Sequence, residues 1–240
     1  SGGAITQTGA VDADLASSFT TSTADQAITL SNTANALTGA VSLTTSGTAG
    51  HVTIDNGTTA LGVQGTVSGD LALTSGEAIT DSAALSVTGT TTVTTDVADK
   101  TITLDTLAST GAVLLTTSGT AGNVLIDNGT TALDLGASTI SGTLSATSGA
   151  AAGIVDSGNV AVSGDVTLTT DANNGVINLG TLQQSGGDLI LTTNGTGDAT
   201  VVNNAAIDLG ASNVGGALSA TASAGTITQN GGALTVAGTS

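Results

Sequence analysis

The sequence predicts an all-β fold in which short parallel strands stack as the coils of a parallel β-helix, or β-solenoid. Three observations support this prediction: a composition that favours extended backbone, short segments in which apolar and polar residues alternate, and a repeat of about 74 residues. The repeat matters most, because apolar residues that recur at one fixed spacing are typical of stacked repeat architectures. The 240 residues are therefore interpreted as a single solenoid segment, residues 1–240.

The composition favours strands and tight turns over helices. About a fifth of the residues are threonine, and Thr, Val and Ile are stiff at χ1 and prefer extended backbone. The 35 glycines supply corners with positive φ. The regular recurrence of Leu, Ile and Val argues against disorder, which goes with low hydrophobicity. The sequence has no cysteine, so neither a disulfide framework nor thiolate chemistry is available.

Within each repeat, two apolar residues flank a polar one and a turn follows. Examples are LSVTG at 85–89, ITLD at 102–105 and LTVAG at 234–238. A period of two indicates a strand with one buried face. The second repeat holds about nine such segments, and three strands per coil predict three coils of about 25 residues in each repeat. The chain would then form about ten coils.

The repeat can be followed through one column of isoleucines. Ile5, Ile79, Ile154 and Ile227 occupy the same position in four successive copies. Insertions and deletions between copies are expected at corners, where loops tolerate them. The repeats are predicted to span residues 3–76, 77–151 and 152–224, with residues 225–240 beginning a fourth.

The inward residues of the strands are expected to stack as ladders in a continuous core. Phe19 shares its column with Val93 and Leu168, and is therefore interpreted as a core residue, since large apolar side chains are usually buried. The predicted core residues are Phe19, Ile28, Leu30, Leu61, Leu85, Val87, Ile102, Leu104, Leu133, Leu135, Ile177, Leu179, Leu189, Leu191, Leu234 and Val236.

The charge balance excludes two classes of partner. The net charge is −17, and Lys100 is the one basic residue apart from histidine. Nucleic acids and anionic membrane surfaces attract basic patches, so neither is an expected partner. No long apolar run predicts membrane insertion. The acidic surface is interpreted as a means of keeping long molecules dispersed.

No catalytic constellation stands out, and the chain is not expected to be an enzyme. His51, the single histidine, shares its repeat position with Asn123 and is interpreted as an exposed turn residue. A catalytic histidine needs a partner acid and a nucleophile, and nothing in the pattern marks either. Lys100, which precedes a strand, is interpreted as a solvated residue. No cofactor is expected.

Recurring acidic residues leave calcium open as a weak possibility. Stacked carboxylates can collect hard cations. However, Asp and Asn also suit turns because they bond to their own backbone, and this is the favoured interpretation. Three Asn-Gly-Thr segments, at 56–58, 128–130 and 194–196, are also read as turns, because Asn-Gly is a strong turn dipeptide. The weak calcium candidates are Asp55, Asp127, Asp134 and Asp208.

Several motifs resemble the repeats of large bacterial surface proteins. They are GAITQTGAV at 3–11, ALSVTGTTTVTT at 84–95, TITLDT at 101–106, NVLIDNGTTALDLGAS at 123–138 and GTLSAT at 142–147. The chain is similar in these motifs to filamentous-haemagglutinin-like exoproteins and related β-strand-repeat adhesins. The resemblance implies a right-handed parallel β-helix, export across the outer membrane, and a location on the bacterial cell surface.

Three functional hypotheses follow. In the first, the chain is a structural shaft or spacer of an extracellular fibre that continues into further repeats or associates with copies of itself at both ends. In the second, it is an adhesin module that recognises a glycan or a protein on a host or neighbouring cell, and the irregular segment 10–26 is its most distinctive surface. In the third, which ranks last, it is a carbohydrate-active β-helix enzyme.

Overall fold

A computed structural model describes residues 1–239, and these residues form 27 strands and no helix. The strands are short because a turn follows every few residues. In chain order they are β1 (Ile5–Thr6), β2 (Asp12–Ala13), β3 (Ser17–Thr20), β4 (Ile28–Leu30), β5 (Ala36–Leu37), β6 (Val41–Thr44), β7 (Val52–Asp55), β8 (Leu61–Val67), β9 (Leu71–Ser75), β10 (Ile79–Val87), β11 (Thr91–Thr95), β12 (Ile102–Leu104), β13 (Leu107–Ser109), β14 (Val113–Thr116), β15 (Val124–Asp127), β16 (Leu133–Leu135), β17 (Ser138–Ile140), β18 (Leu144–Ser148), β19 (Ile154–Asp156), β20 (Val160–Val162), β21 (Val166–Asn173), β22 (Ile177–Gln184), β23 (Leu189–Asn194), β24 (Ala199–Asn203), β25 (Ile207–Val214), β26 (Leu218–Ala222) and β27 (Ile227–Val236).

Two long parallel sheets run the length of the molecule and enclose the core. The first sheet has 13 strands, and β1, β4, β7, β9, β11, β14, β16, β19, β22, β24 and β26 succeed one another in it. The second has 12 strands: β3, β6, β8, β10, β12, β15, β18, β21, β23, β25 and β27 follow in this order, and β13 pairs with β10. The chain alternates between the two sheets from one main strand to the next, and β2 and β5 form a separate two-stranded sheet. The fold is therefore a parallel β-solenoid of about 11 turns, which confirms the fold class predicted from the sequence.

The coils vary in length, and most are shorter than the sequence predicted. Ile28 pairs with Val52 across one coil, whereas a shorter coil brings Leu61 into register with Ile79. Most coils have two main strands, one in each sheet, with an extra short strand at some corners, such as β2, β13 and β17. The expectation of three strands in every coil is therefore wrong, and the chain makes about 11 turns where about ten were expected.

The sequence repeat holds about three and a half turns rather than a whole number. In the first sheet Ile5 pairs with Ile28, Ile28 with Val52 and Val52 with Leu71, which is three full turns. Ile79, the repeat equivalent of Ile5, lies half a turn further on, in the second sheet. Equivalent residues of successive repeats therefore lie on opposite sheets.

Other repeat columns alternate between the sheets in the same way. Leu71 lies in the first sheet, Leu144 in the second and Leu218 in the first again. Residues one repeat apart therefore do not lie in one ladder. The inward ladders join residues one coil apart, as the stacking of coils predicts, for example Val166 with Leu189.

The core lies between the two sheets. Period-two alternation points Leu, Ile and Val inward and Thr, Ser and Asp outward, which is the arrangement that half-buried strands favour. Of the predicted core residues, Ile28, Leu30, Leu61, Leu85, Val87, Ile102, Leu104, Leu133, Leu135, Ile177, Leu179, Leu189 and Leu191 are buried.

Phe19, Leu234 and Val236 are only half-buried, although they pack against the core. They lie in the first and last coils that the structure describes, where a stacked coil covers them on one side only. These three predicted core residues therefore contact the core without being fully buried. The physical reason is that each inward residue of a solenoid is shielded partly by the coils above and below it.

The outward faces carry ladders of threonine, because successive coils bring like residues into register. Cross-strand threonine neighbours suit a β-surface, since β-branched side chains pack well on the pleat. The ladders include Thr74, Thr94, Thr116 and Thr139 on the first sheet and Thr147, Thr169 and Thr192 on the second.

Candidate functional site

Polar side chains join each coil to the next at the corners. One of these contacts is made by Asn128, whose side chain is fully buried. Its Oδ1 accepts a hydrogen bond from the Ser109 N–H at 2.7 Å, and its Nδ2 donates to the carbonyls of Ser109, Thr131 and Ala132. The side chain thus satisfies the backbone of two coils where the sheet hydrogen bonding is interrupted.

The same arrangement recurs at Asn56 and Asn203. Asn56 Oδ1 accepts from the Leu37 N–H, and Asn203 Oδ1 accepts from the Gln184 N–H, each at 2.8 Å. Both side chains are fully buried. We call Asn56, Asn128 and Asn203 the asparagine locks. Asn56 and Asn128 lie in turns, as the sequence predicted, but the inward direction of their amides was not predicted.

A second set of corner residues adopts the left-handed backbone region. Asp25, Asp99 and Asn174 have φ of 61°, 64° and 63°, and they occupy equivalent positions in three repeats. Asp99 Oδ1 accepts hydrogen bonds from the N–H groups of Thr120 and Ala121 in the next coil, at 2.7 and 2.8 Å. Asp tolerates this backbone region better than most residues.

These hydrogen bonds stabilise the ionised form of the corner carboxylates. The backbone N–H groups of Thr120 and Ala121 hold the pKa of Asp99 below its ordinary value. The pKa of Asp25 is lowered in the same way by the N–H groups of Thr48 and Ala49. These corners should therefore weaken when acid protonates them.

Replacing Asp99 with asparagine is expected to reduce the loss of stability in acid. Because the folded-state pKa of Asp99 is lowered, its contribution is complete above the ordinary value of 3.8 and is lost as pH falls through the lower folded value. Asparagine holds the equivalent position at Asn174, so the variant should fold normally at neutral pH. Acid unfolding followed by circular dichroism measures the effect.

Asp14→Asn is the matched control for this prediction. Asp14 is exposed, and its carboxylate accepts no hydrogen bond from residues 1–239. If Asp99→Asn and Asp14→Asn show the same acid midpoint as the wild-type chain, the corner hydrogen bonds do not carry the pH dependence.

Asp81 is a buried carboxylate that was not predicted as a site residue. It is 8% exposed, and it accepts the N–H groups of Asp105 and Thr106 in the next coil at 3.0 and 2.8 Å. Burial raises its pKa in spite of these bonds. Asp156 holds the equivalent position one repeat later and accepts the N–H groups of Gly180 and Thr181. Both carboxylates therefore act as bridges between coils.

The four weak calcium candidates have different hydrogen-bond partners in the structure. Asp55 and Asp127 each accept the N–H of the glycine two residues later, which is turn chemistry. Asp208 accepts the Asn230 N–H, which lowers its pKa, and Asp134 lies on the outward face of β16 with its buried Oδ1 lacking a partner within residues 1–239. No group of three potential metal ligands occurs among the described residues. Calcium binding by these residues stays a prediction.

His51 and Lys100 both engage acidic residues. His51 is exposed, and its Nδ1 accepts the Asp70 N–H at 2.9 Å and lies 3.3 Å from a carboxylate oxygen of Asp70. Lys100 Nζ lies 2.9 and 2.8 Å from the two carboxylate oxygens of Glu77. The single lysine is therefore paired with the single glutamate rather than simply solvated. The expectation that the chain is not an enzyme stays a prediction.

Shallow grooves occur on the surface of the described part of the chain. One groove has a volume of about 330 Å³ and lies beside Gln184, Asp188 and Asp208, and two others are of similar size. No helix long and apolar enough to span a membrane occurs in residues 1–239.

Comparison with known proteins identifies the repeats but no activity. A family model described as repeats of unknown function (DUF5649) matches residues 1–44, 49–118, 121–192 and 196–240. No curated protein and no solved structure matches the chain. The two internal matches, at 49–118 and 121–192, are each close to the length of the repeat found in the sequence.

Proposed function

Because the chain belongs to the family of repeats of unknown function (DUF5649), we propose a function for it from its geometry: it is a stiff shaft or spacer of an extracellular bacterial surface fibre. The observation that carries the proposal is the continuity of the two parallel sheets along all the described coils. At a strand spacing of about 4.8 Å, about 11 turns make a segment roughly 50 Å long. The bacterial surface is proposed through the resemblance to filamentous-haemagglutinin-like exoproteins.

The bonding between coils supports a stiff element. Backbone hydrogen bonds of both sheets run along the solenoid axis, and the asparagine locks and corner aspartates add side-chain bonds in the same direction. Bending or stretching the shaft would break several of these bonds together. Because each coil contacts only its neighbours, length is increased by adding coils without changing the cross-section.

The charge distribution supports a shaft that stays separate from other shafts in solution. The net charge is −17, and the ion pair between Lys100 and Glu77 neutralises the one lysine. Aspartates at the corners therefore dominate the charged surface. Like charge along two shafts opposes side-by-side association and keeps long molecules soluble.

The proposed partners of the shaft are further coils at both ends. In the described structure β1 and β3 each pair on one side only, as do β26 and β27. Open strand edges present unpaired N–H and C=O groups and accept further strands. We propose that another coil, from the same chain or from a second copy, continues each sheet.

Small-angle X-ray scattering of the chain in solution, followed by electron microscopy of any assemblies, tests the proposal. A shaft predicts a particle of constant cross-section, and assemblies should show a layer line at about 4.8 Å along the axis. A compact particle with no elongation at any concentration would contradict the proposal. Sedimentation over a range of concentrations distinguishes end-to-end association from a single elongated monomer.

One observation favours a second candidate function, the adhesin module. Leu15 is 80% exposed in the segment 10–26, which is the most irregular part of the repeats in the sequence. A single exposed apolar side chain is common on soluble proteins, so this candidate rests on the place of Leu15 in the irregular segment. Binding to cells by the wild-type chain, lost in Leu15→Ser with unchanged folding, would favour this candidate over the shaft.

A further inference from the structure

Five Asn-Gly dipeptides occur in the chain, and three of them are followed by threonine: Asn56, Asn128 and Asn194 begin identical Asn-Gly-Thr tripeptides. The fold places these tripeptides in different surroundings. We propose that Asn194 is a site of spontaneous covalent modification, at which its amide converts to a carboxylate through a cyclic imide. Asn56 and Asn128 are held unreactive by the fold. The proposal is independent of the shaft function.

The reaction is intramolecular and needs only water. The backbone nitrogen of Gly195 loses its proton and attacks the side-chain Cγ of Asn194, so that a C–N bond forms and the Cγ–Nδ2 bond breaks. Nδ2 takes up a proton and leaves as ammonia, and a five-membered succinimide ring remains. Water then opens the ring at either carbonyl, which yields aspartate or isoaspartate without any oxidant or reductant.

The geometry at Asn194 brings the reacting groups together. Its side chain is exposed, and the Gly195 N–H already donates to its Oδ1 at 2.8 Å. The nucleophilic nitrogen therefore lies beside the carbonyl group that it attacks. The leaving Nδ2 is held by a single hydrogen bond, to the Asp171 carbonyl at 3.2 Å. Glycine at position 195 leaves the nitrogen unhindered by a side chain.

The geometry at Asn56 and Asn128 opposes the same reaction. Both side chains are fully buried, and each Nδ2 donates to three carbonyl oxygens. The nitrogens of the following glycines donate instead to the carboxylates of Asp55 and Asp127. Reaction at either lock therefore requires a local opening that breaks these bonds first.

The remaining two dipeptides are exposed but differently engaged. Asn174 has φ of 63°, and its Oδ1 accepts both the N–H and the hydroxyl of Thr196. Asn230 is bound to Asp208 through its backbone N–H and its Nδ2. In the described residues, neither asparagine side-chain carbonyl accepts a hydrogen bond from the N–H of the glycine that follows it. Asn194 should therefore react first.

Modification would alter a corner between two coils. The Asn194 carbonyl accepts the Asn174 N–H at 3.0 Å. Isoaspartate routes the main chain through the former side chain, which lengthens the backbone by one atom and displaces this carbonyl. The connection between β23 and β24 should then become more accessible to proteases.

Peptide mapping by mass spectrometry after incubation of the intact chain at mildly alkaline pH tests the proposal. In the folded chain, conversion at Asn194 is expected to be at least about tenfold faster than at Asn56 and Asn128, because the locks must open before reacting. In the chain denatured by urea, the three identical tripeptides should convert at similar rates. Asn194→Gln, which retains an amide but closes a ring less readily, should remove the early mass change and the associated protease cleavage.

Two outcomes would overturn the proposal. Equal rates at Asn56, Asn128 and Asn194 in the folded chain would mean that the fold does not control the reaction. Faster conversion at Asn174 or Asn230 than at Asn194 would mean that the contact between Gly195 and the Asn194 carbonyl does not promote it.

Discussion

Replacing Asn128 with alanine is expected to lower the free energy of unfolding by about 4 kcal/mol, the sum of several buried hydrogen bonds lost together. The change removes the partner of the buried Ser109 N–H and carbonyl and of the half-buried Ala132 carbonyl. Buried backbone groups left without partners cost more than the mean value of a hydrogen bond, because they cannot return to water. Urea unfolding followed by circular dichroism measures the change.

Asn194→Ala is the matched control for Asn128→Ala. The two residues share the tripeptide Asn-Gly-Thr, so the local sequence of the unfolded chain is the same, but the side chain of Asn194 is exposed. The control is expected to lose less than about 1 kcal/mol, in line with an exposed hydrogen bond. Similar losses for both variants would show that the asparagine locks do not hold the coils together.

Replacing Gly119 with alanine is expected to lower the free energy of unfolding by about 3 kcal/mol, through backbone strain and a steric clash together. Gly119 has φ of 92°, which side-chain-bearing residues rarely adopt. A Cβ atom there would lie 2.8 Å from the Asp99 nitrogen and closer still to the Asp99 carboxylate. The substitution would therefore displace the corner at which Asp99 binds the next coil. Thermal and urea unfolding measure the loss.

Gly62→Ala is the matched control for Gly119→Ala. Gly62 lies on the outward face of β8 without a positive φ, and an added Cβ would meet its nearest atom, Thr80 Oγ1, at 3.6 Å. Alanine should be neutral or slightly stabilising there, because it restricts the unfolded chain. If Gly119→Ala is as stable as Gly62→Ala, the corner can relax without loss.

The fold class and the inward strand residues could be predicted from the sequence for a local physical reason. Alternation of apolar and polar residues is set by the geometry of a single strand, and turn residues mark its ends. Ile102 and Leu104, for example, are separated by one outward threonine and are both buried. The half-burial of Phe19 depends on which coil lies next to it, and no local pattern contains that information.

The candidate site could be predicted only in part. Asn56 and Asn128 recur at one position of the repeat, which is the position of an asparagine lock, and the Asn-Gly dipeptide indicated a turn there. Whether the amide points into the core or into solvent depends on the neighbouring coil, so the buried locks and the exposed Asn194 carry the same local sequence. Asp81 and Asp156 recur at the repeat spacing, and that recurrence is a signal by which their role as bridges could have been found.

By itself the sequence determined that this chain is an all-β stack of short parallel strands built on a long internal repeat. Only the tertiary structure decided that one repeat makes about three and a half turns, so that Ile5 and Ile79 lie in opposite sheets. The reason is that both sheets require the same alternation and both sets of corners require the same turn residues. A strand of the first sheet therefore has the same local sequence pattern as a strand of the second. Only the pairing of each strand with the neighbouring coil shows to which sheet it belongs.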